Sequence, residues 1–375
     1  MKVVIVTGIW PPDVGGPASH APEVAEFLRS KGHEVEVVTT APSAPAPAPY
    51  PVHWISRAQS VFLRYLRGAL LVGRTARGAD VVYSTGMYGR TRVGSLLARV
   101  PSVVKLTGDP AYERAFRYGL TRQPIEDFQR SHDLRIAWLK VVRDLTLWGA
   151  HRYVIPSASL GGLAGEWHLV DGDRIVVLPN PISVPQVGDR EELRRKHGFD
   201  GPTLVFAGRL SLQKSLDVAL RAVEACEGVA LVLAGDGPER DRLDALVGAL
   251  GVGARIRFLG AQPRETVLEL LAAADAELLS SGWENFPHSL IEGLAVGTPV
   301  IATGVGGVTE IVTDGENGLL VPPGDPEAFA SAIRRFFADE ALRERLRTAA
   351  PGSVARFAPE PVYARLEALL EEAAR

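Results

Sequence analysis

Residues 2–8 read KVVIVTG, and this stretch decides the fold class. It is a short apolar run, rich in β-branched residues and closed by glycine, the composition of a strand buried on both faces. Residues 19–33 (SHAPEVAEFLRSKGH) follow with the spacing of an amphipathic helix, and residues 34–40 (EVEVVTT) repeat the apolar run. Strands that alternate with helices imply a parallel sheet covered on both faces.

The same alternation continues outward. Further strand candidates are DVVYST (80–85), SVVKLTG (102–108), RYVIPS (152–157) and RIVVLPN (174–180). A second series opens at TLVFAGR (203–209) and runs through ALVLAGDG, RIRFLG, AELLSS, PVIAT and GLLVPPG (318–324). Helical segments such as LDVALRAVEAC (216–226) and RDRLDALVGALG (240–251) separate them. The expectation is an α/β chain with two Rossmann-like, doubly wound domains in tandem, residues 1–180 and 181–355. PNPISVPQVGD (179–189), where proline and glycine cluster, reads as the linker. In open α/β sheets ligands bind outside the carboxyl ends of the strands. Chemistry is therefore expected in strand-end loops of both domains, facing each other across a cleft.

Composition agrees with this and narrows the function. The chain has 375 residues, 46% of them apolar, enough for two substantial cores. Its net charge of −3 does not suggest a nucleic-acid scaffold. One cysteine, Cys226, excludes an intrachain disulfide framework and fits a reducing compartment, with a small buried apolar role for the thiol. No window holds about 18 uninterrupted apolar residues and no signal-peptide pattern is visible. A cytoplasmic protein is expected, with peripheral contact at the inner membrane face left open. APSAPAPAPYP (41–51) reads as an extended surface loop.

The stretch with most chemistry is SGWENFPHSLIE, residues 281–292. Two glutamates, Glu284 and Glu292, stand with seven residues between them at the edge of an apolar segment. Pro287 suits the first turn of a helix and Asn285 a cap before it. A helix N-terminus presents free N–H groups to phosphate. A carboxylate farther along accepts ribose hydroxyls, and one before the helix holds hydroxyls of a second sugar. The stretch thus reads as a nucleotide-sugar site; the alternative is a helix cap at Glu284 and an arginine partner for Glu292.

FAGRLSLQKSLD (206–217) places Gly208, Arg209 and Lys214 on a strand-to-helix loop, and Lys214 is one of only six lysines. A guanidinium and an ammonium there make a diphosphate clamp or, alternatively, two solvated cations. Gly15 and Gly16, after the first strand, allow close backbone approach to a phosphate or sugar. Neither this loop nor AGDGPE (234–239) nor GVGG (304–307) is a dinucleotide fingerprint. Asp109, before a proline at another strand end, is expected to project from its loop; the alternative is a simple turn start. Leu134, Trp138, Val141 and Leu145 recur at helical spacing among basic residues. The plain reading is a helix packed on the first sheet; the other is a basic, aromatic face that meets an anionic or lipid-linked acceptor. His20, His132 and His288 match no standard metal-site spacing, and no metal is expected.

Taken together, these motifs resemble the retaining, GT-B-fold glycosyltransferases of family four (glycosyl transferases group 1). The resemblance covers nearly the whole chain: the glycine pair at Gly15 and Gly16, LPNPI at the junction, FAGRLSLQKS, LAGDGPE, FLGAQP and, most specific, ENFPHSLIEGLAVGTPVIATGVGGVTEIV with its E-x7-E signature. It implies that Glu284 holds donor-sugar hydroxyls and Glu292 the ribose. Arg209 and Lys214 would neutralise the diphosphate. Backbone N–H groups of Asn285, Phe286 and His288, around Pro287 and with Gly16 opposite, would complete a phosphate cradle. The donor would be a nucleotide-sugar, UDP-linked in the family's commoner choice, with no metal or other cofactor. The acceptor, a sugar, lipid-linked or small molecule, would lie on the N-terminal domain, and residues 356–375 would cross back to pack on that domain. The sequence departs from the family at Asn285, where many relatives carry glycine. It departs again near Thr107, where many carry histidine, with Asp109 the candidate substitute. A sugar-nucleotide epimerase and a non-catalytic nucleotide-sugar-binding protein stay open as alternatives.

Overall fold

The computed structural model describes residues 1–13, 16–123, 125–183 and 186–375. Residues Met1–Pro179 with Glu360–Arg375 form one compact unit, and Asn180–Pro359 form a second.

The first unit is built on seven parallel strands: β1 (Lys2–Val6), β2 (Glu34–Ala41), β3 (Val52–Ser56), β4 (Val81–Ser84), β5 (Ser102–Lys105), β6 (Arg152–Ile155) and β7 (Ile175–Val177). Their order is β3-β2-β1-β4-β5-β6-β7. The chain enters mid-sheet, runs to one edge, then returns past β1 to the other, so the order reverses between β1 and β4. Its helices are α1 (Gly16–Ser30), α2 (Val61–Thr75), α3 (Tyr88–Ala98), α4 (Pro110–Arg117), α5 (Ile125–Arg130), α6 (Leu134–Leu147) and α7 (Ala158–Gly165). Strand β3 carries no apolar run because it is a half-exposed edge, which is why its sequence, VHWIS, gives no strand signal.

The second unit holds β8 (Thr203–Ala207), β9 (Ala230–Ala234), β10 (Ile256–Gly260), β11 (Ala276–Leu279), β12 (Val300–Thr303) and β13 (Gly318–Val321), again all parallel. Their order is β10-β9-β8-β11-β12-β13. The helices are α8 (Arg190–His197), α9 (Leu216–Glu224), α10 (Arg240–Leu250), α11 (Arg264–Ala273), α12 (His288–Ala295), α13 (Val308–Ile311), α14 (Pro326–Ala338) and α15 (Glu340–Ser353). Strands β8 and β11 are adjacent in the sheet though far apart in the chain, so the loops that leave their carboxyl ends become neighbours.

Each unit has its own core. Val3, Ile5, Val24, Leu28 and Tyr83 pack in the first with Val362, Leu366 and Leu370 of the last helix, α16 (Pro359–Ala374). His33 Nε2 to Glu367 at 2.7 Å and the Tyr363 hydroxyl to Glu23 at 2.6 Å tie that helix to the same unit. The change of unit comes later than residue 356. Phe357 belongs to the second core and meets the Phe286 ring edge-on at 5.4 Å. Cys226 is buried in that second core, with its thiol 3.5 Å from the Ala330 carbonyl.

Candidate functional site

The reversal of strand order in the second unit brings the Lys214 loop and the Glu284 loop together. Lys214 Nζ donates to Glu284 Oε1 at 2.5 Å, and the Ser281 hydroxyl donates to the same oxygen at 2.6 Å. Glu284 is 8% exposed. A carboxylate so placed is stable only with partners of this kind. Backbone contacts lock the two loops: Gly282 N–H to the Gln213 carbonyl at 2.9 Å, the Gln213 amide to the Trp283 carbonyl at 2.9 Å, and the Ser280 hydroxyl to the Lys214 carbonyl at 2.8 Å. Ser215, just after Lys214, has φ of 43°, a left-handed conformation that turns the chain into α9.

Glycine makes the approach possible. A Cβ on Gly235 would stand 1.7 Å from the Gly208 carbonyl oxygen, so the turns after β8 and β9 touch through bare backbone. Arg209 follows Gly208 and is exposed. Among the described residues it forms no ion pair.

Helix α12 starts at His288, not Pro287. Pro287 has ψ of 109° and stands just outside the helix, and no side chain caps it. The expected Asn285 cap and first-turn proline are corrected accordingly. Asn285 is half-buried, and Phe286 is buried on Phe357. His288 is exposed and its Nε2 lies 2.8 Å from the Asn180 amide nitrogen. Glu292, one turn into α12, is paired with Arg264 Nε at 2.7 Å, and Arg264 also donates to the Ser183 carbonyl. The arginine partner weighed from sequence is therefore present, on a guanidinium whose side chain is 54% exposed.

A third carboxyl lies beneath the helix. Glu277 on β11 is fully buried under Gly293, and neither oxygen has a hydrogen-bond partner. Desolvation pushes it up to about 8. The nearby Ser289 hydroxyl opposes that shift without reaching hydrogen-bond geometry, while the Glu292 and Glu284 charges add to it.

The first-unit candidates differ in kind. Gly15 lies outside the described residues, and Gly16 is the first residue of α1. Asp109 does not project. It is 1% exposed, caps α4 through Ala111 and Tyr112 N–H, and accepts from Arg143 and Gln129, both at 2.7 Å. Arg143 in turn bonds Asp144 and lies 4.0 Å over the Trp167 ring. Asp109 is thus a helix cap inside a closed network, where the sequence suggested a loop carboxylate. Beside it, at the carboxyl ends of β4 and β5, a groove of about 490 Å³ is lined by Tyr65, Tyr88, Arg90, Arg114 and Arg117. The Arg90 Nε is buried without a partner.

Sequence reading missed Ser281, Arg264 and Glu277. Ser281 stands three residues before Glu284 inside the motif, so its hydroxyl was in view. Arg264 gave no signal because its partner Glu292 comes from another element, and Glu277 gave none because it is buried beneath α12 without a hydrogen-bond partner.

Residues 15–181 match the glycosyl transferase 4-like domain family and residues 189–352 match glycosyl transferases group 1. LpsE of Rhizobium meliloti, a lipopolysaccharide core biosynthesis glycosyltransferase, is 42% identical over 147 residues, 39% of this chain and 43% of the relative. The chain thus spans less than half of that relative's length. An uncharacterized glycosyltransferase of Methanocaldococcus jannaschii is 26% identical over 371 residues, 92% of this chain and 91% of its own. Among solved structures, HepE of Anabaena in complex with UDP-glucose is similar with a TM-score of 0.79 and 21% identity, covering 99% of this chain and 100% of that one. At that identity the likeness shows the fold, the GT-B pairing of two α/β units.

Proposed function

Because the chain belongs to the group 1, family-four glycosyltransferases, we propose that it moves a sugar from a UDP-sugar to an acceptor held by its first unit, retaining the anomeric configuration and requiring no metal. The observation that carries this reading is the junction of Lys214, Ser281 and Glu284 at the carboxyl ends of β8 and β11. It combines a cation for a diphosphate with a carboxylate for sugar hydroxyls, just before a helix N-terminus suited to phosphate. The UDP-glucose seen in HepE supports uridine as the base.

The chemistry follows from charge. As the bond from the anomeric carbon to the phosphate oxygen breaks, negative charge gathers on the diphosphate. Lys214 and Arg209 take it up in this reading, with the N–H groups that open α12. Such preorganised electrostatics is often the largest catalytic contribution. Glu284 holds the sugar, and Glu292 exchanges its exposed arginine for the ribose hydroxyls. The acceptor hydroxyl attacks on the face the phosphate leaves, and its proton passes to a departing phosphate oxygen. This route calls on no carboxylate nucleophile of the kind retaining glycosidases use.

The arginine-lined groove of the first unit favours an anionic acceptor. The role of LpsE in lipopolysaccharide core synthesis supports a lipid-linked or cell-envelope glycan.

Thermal shift against UDP-glucose, GDP-mannose and ADP-glucose tests the donor: the uridine compound should raise Tm most. Near-wild-type donor turnover in Arg209→Ala, Lys214→Ala and Glu284→Ala together would refute the assignment of the site.

A further inference from the structure

Three neighbouring helices of the first unit, α2, α3 and α6, share an unusual property. Every side chain they expose is apolar or arginine. On α2, Phe62, Leu66 and Leu70 form one stripe at four-residue spacing, and Phe62 is 80% exposed. On α3, Val93, Leu96 and Leu97 face outward. On α6, the stripe Leu134, Trp138, Val141 and Leu145 points to solvent, with Leu134 85% and Trp138 65% exposed, while Ile136, Leu139 and Leu147 face the interior. The helix thus buries one face, as the plain reading has it, while the stripe noted in the sequence lies on the other.

The three helices form one layer. Helix α3 packs on both α2 and α6. A Cβ on Gly94 would lie 2.5 Å from a Val72 methyl, so α2 and α3 cross at close range. The stripes therefore adjoin one another and make a broad face.

Its charge is one-sided. Between Arg57 and Arg99 the chain carries eight arginines and one acidic residue, Asp80, in a protein whose net charge is −3. Asp80 is used by the Lys2 backbone N–H at 2.6 Å. Arg67, Arg74 and Arg99 are exposed and, among the described residues, form no ion pair. Arg92 lies 4.9 Å from the Trp148 ring, itself half exposed.

We propose that the outer face of α2, α3 and α6 docks on an anionic lipid bilayer. A water-facing helix normally presents polar residues, and a contiguous exposed apolar patch marks an interaction site. The surplus of arginine selects a negative partner and opposes pairing with a second copy, which would bring arginine against arginine. Aromatic and aliphatic side chains flanked by arginines match a headgroup layer: the rings reach the acyl boundary while guanidinium groups meet phosphate. No helix among the described residues is long and apolar enough to cross a membrane, so the contact lies along the surface. This inference goes beyond the transfer reading and does not depend on it.

Flotation of the full chain with vesicles tests it, using phosphatidylcholine alone against phosphatidylcholine mixed with phosphatidylglycerol. The expected result is binding to the anionic vesicles only, weakened by added salt. Phe62→Ser with Trp138→Ser should lower partitioning about ten-fold or more. Arg67→Gln with Arg74→Gln should lower it roughly five-fold per arginine. All four side chains are exposed, so Tm and the donor-induced rise in Tm should stay at wild-type values, separating this outcome from failure of the transferase reading. Absence of flotation with anionic vesicles overturns the proposal, as does equal flotation of the variants. Concentration-dependent self-association that the same variants abolish would give the face to a second copy. Binding of polyglutamate without vesicle binding would give it to an acidic protein.

Discussion

Asp109 in the first unit and Glu284 in the second are both buried carboxylates at strand ends, each with a cation within hydrogen-bond reach. They differ in closure. Asp109 is held by two backbone N–H groups, Gln129 and Arg143, and the side chain of Arg143 is 3% exposed beneath Trp167. Glu284 shares its cation with a loop that leads toward exposed Arg209, and the Lys214 side chain keeps 14% of its surface. A closed pair can do little except hold the fold. A pair left ajar can exchange partners with a ligand.

Asp109→Ala should break this comparison most forcefully. It leaves Arg143 buried with one fewer partner, and loss of one member of a buried pair costs about 3–5 kcal/mol. Chemical denaturation should show that loss. A variant as stable as wild type would mean that Asp109 is not structural.

Glu277 sharpens the contrast, being a carboxyl with neither kind of partner. It stays protonated in the folded chain up to about pH 8, while an unfolded glutamate ionises near 4.5. Between those values folding takes up a proton, so stability falls as pH rises through the window and levels off above it. Glu277→Gln removes that proton uptake. Its stability relative to wild type should improve by on the order of 3 kcal/mol from about pH 5 to about pH 8. A pH-independent difference would show that Glu277 has a partner.

Lys214→Ala should lower kcat for donor turnover about 10²-fold. Glu292→Ala should raise the donor KM about ten-fold with kcat largely kept, since it removes binding common to the ground and transition states. Arg264→Ala should change stability by less than about 1 kcal/mol, because its pair with Glu292 is exposed on the arginine side. A large loss there would make Glu292 structural, like Asp109.

The α/β alternation was legible because buried parallel strands read as continuous apolar runs, as in residues 3–6 and 204–207. Edge strand β3 escaped because it is only half covered. The motif at 281–292 was legible because its spacing is local. Pro287 was misplaced by one position, since a proline suits either side of a helix start. The stripe on α6 was visible in the sequence, but its direction was not. Apolar residues at helical spacing look alike whether they face the interior or water, and here a second, inner set of Ile136, Leu139 and Leu147 faces inward, with Leu147 in the core beside β5 and β6.

The sequence by itself determined the fold class, the two units and the residue types of the candidate site, because periodicity and short-range spacing are properties of the chain. Tertiary structure alone decided which buried carboxylate has a sealed cation and which a partly exposed one. It set Lys214 beside Glu284 across seventy positions, shut Asp109 away with Arg143, and left Glu277 unpartnered. Burial and pairing are properties of neighbours, and strand order chooses those neighbours.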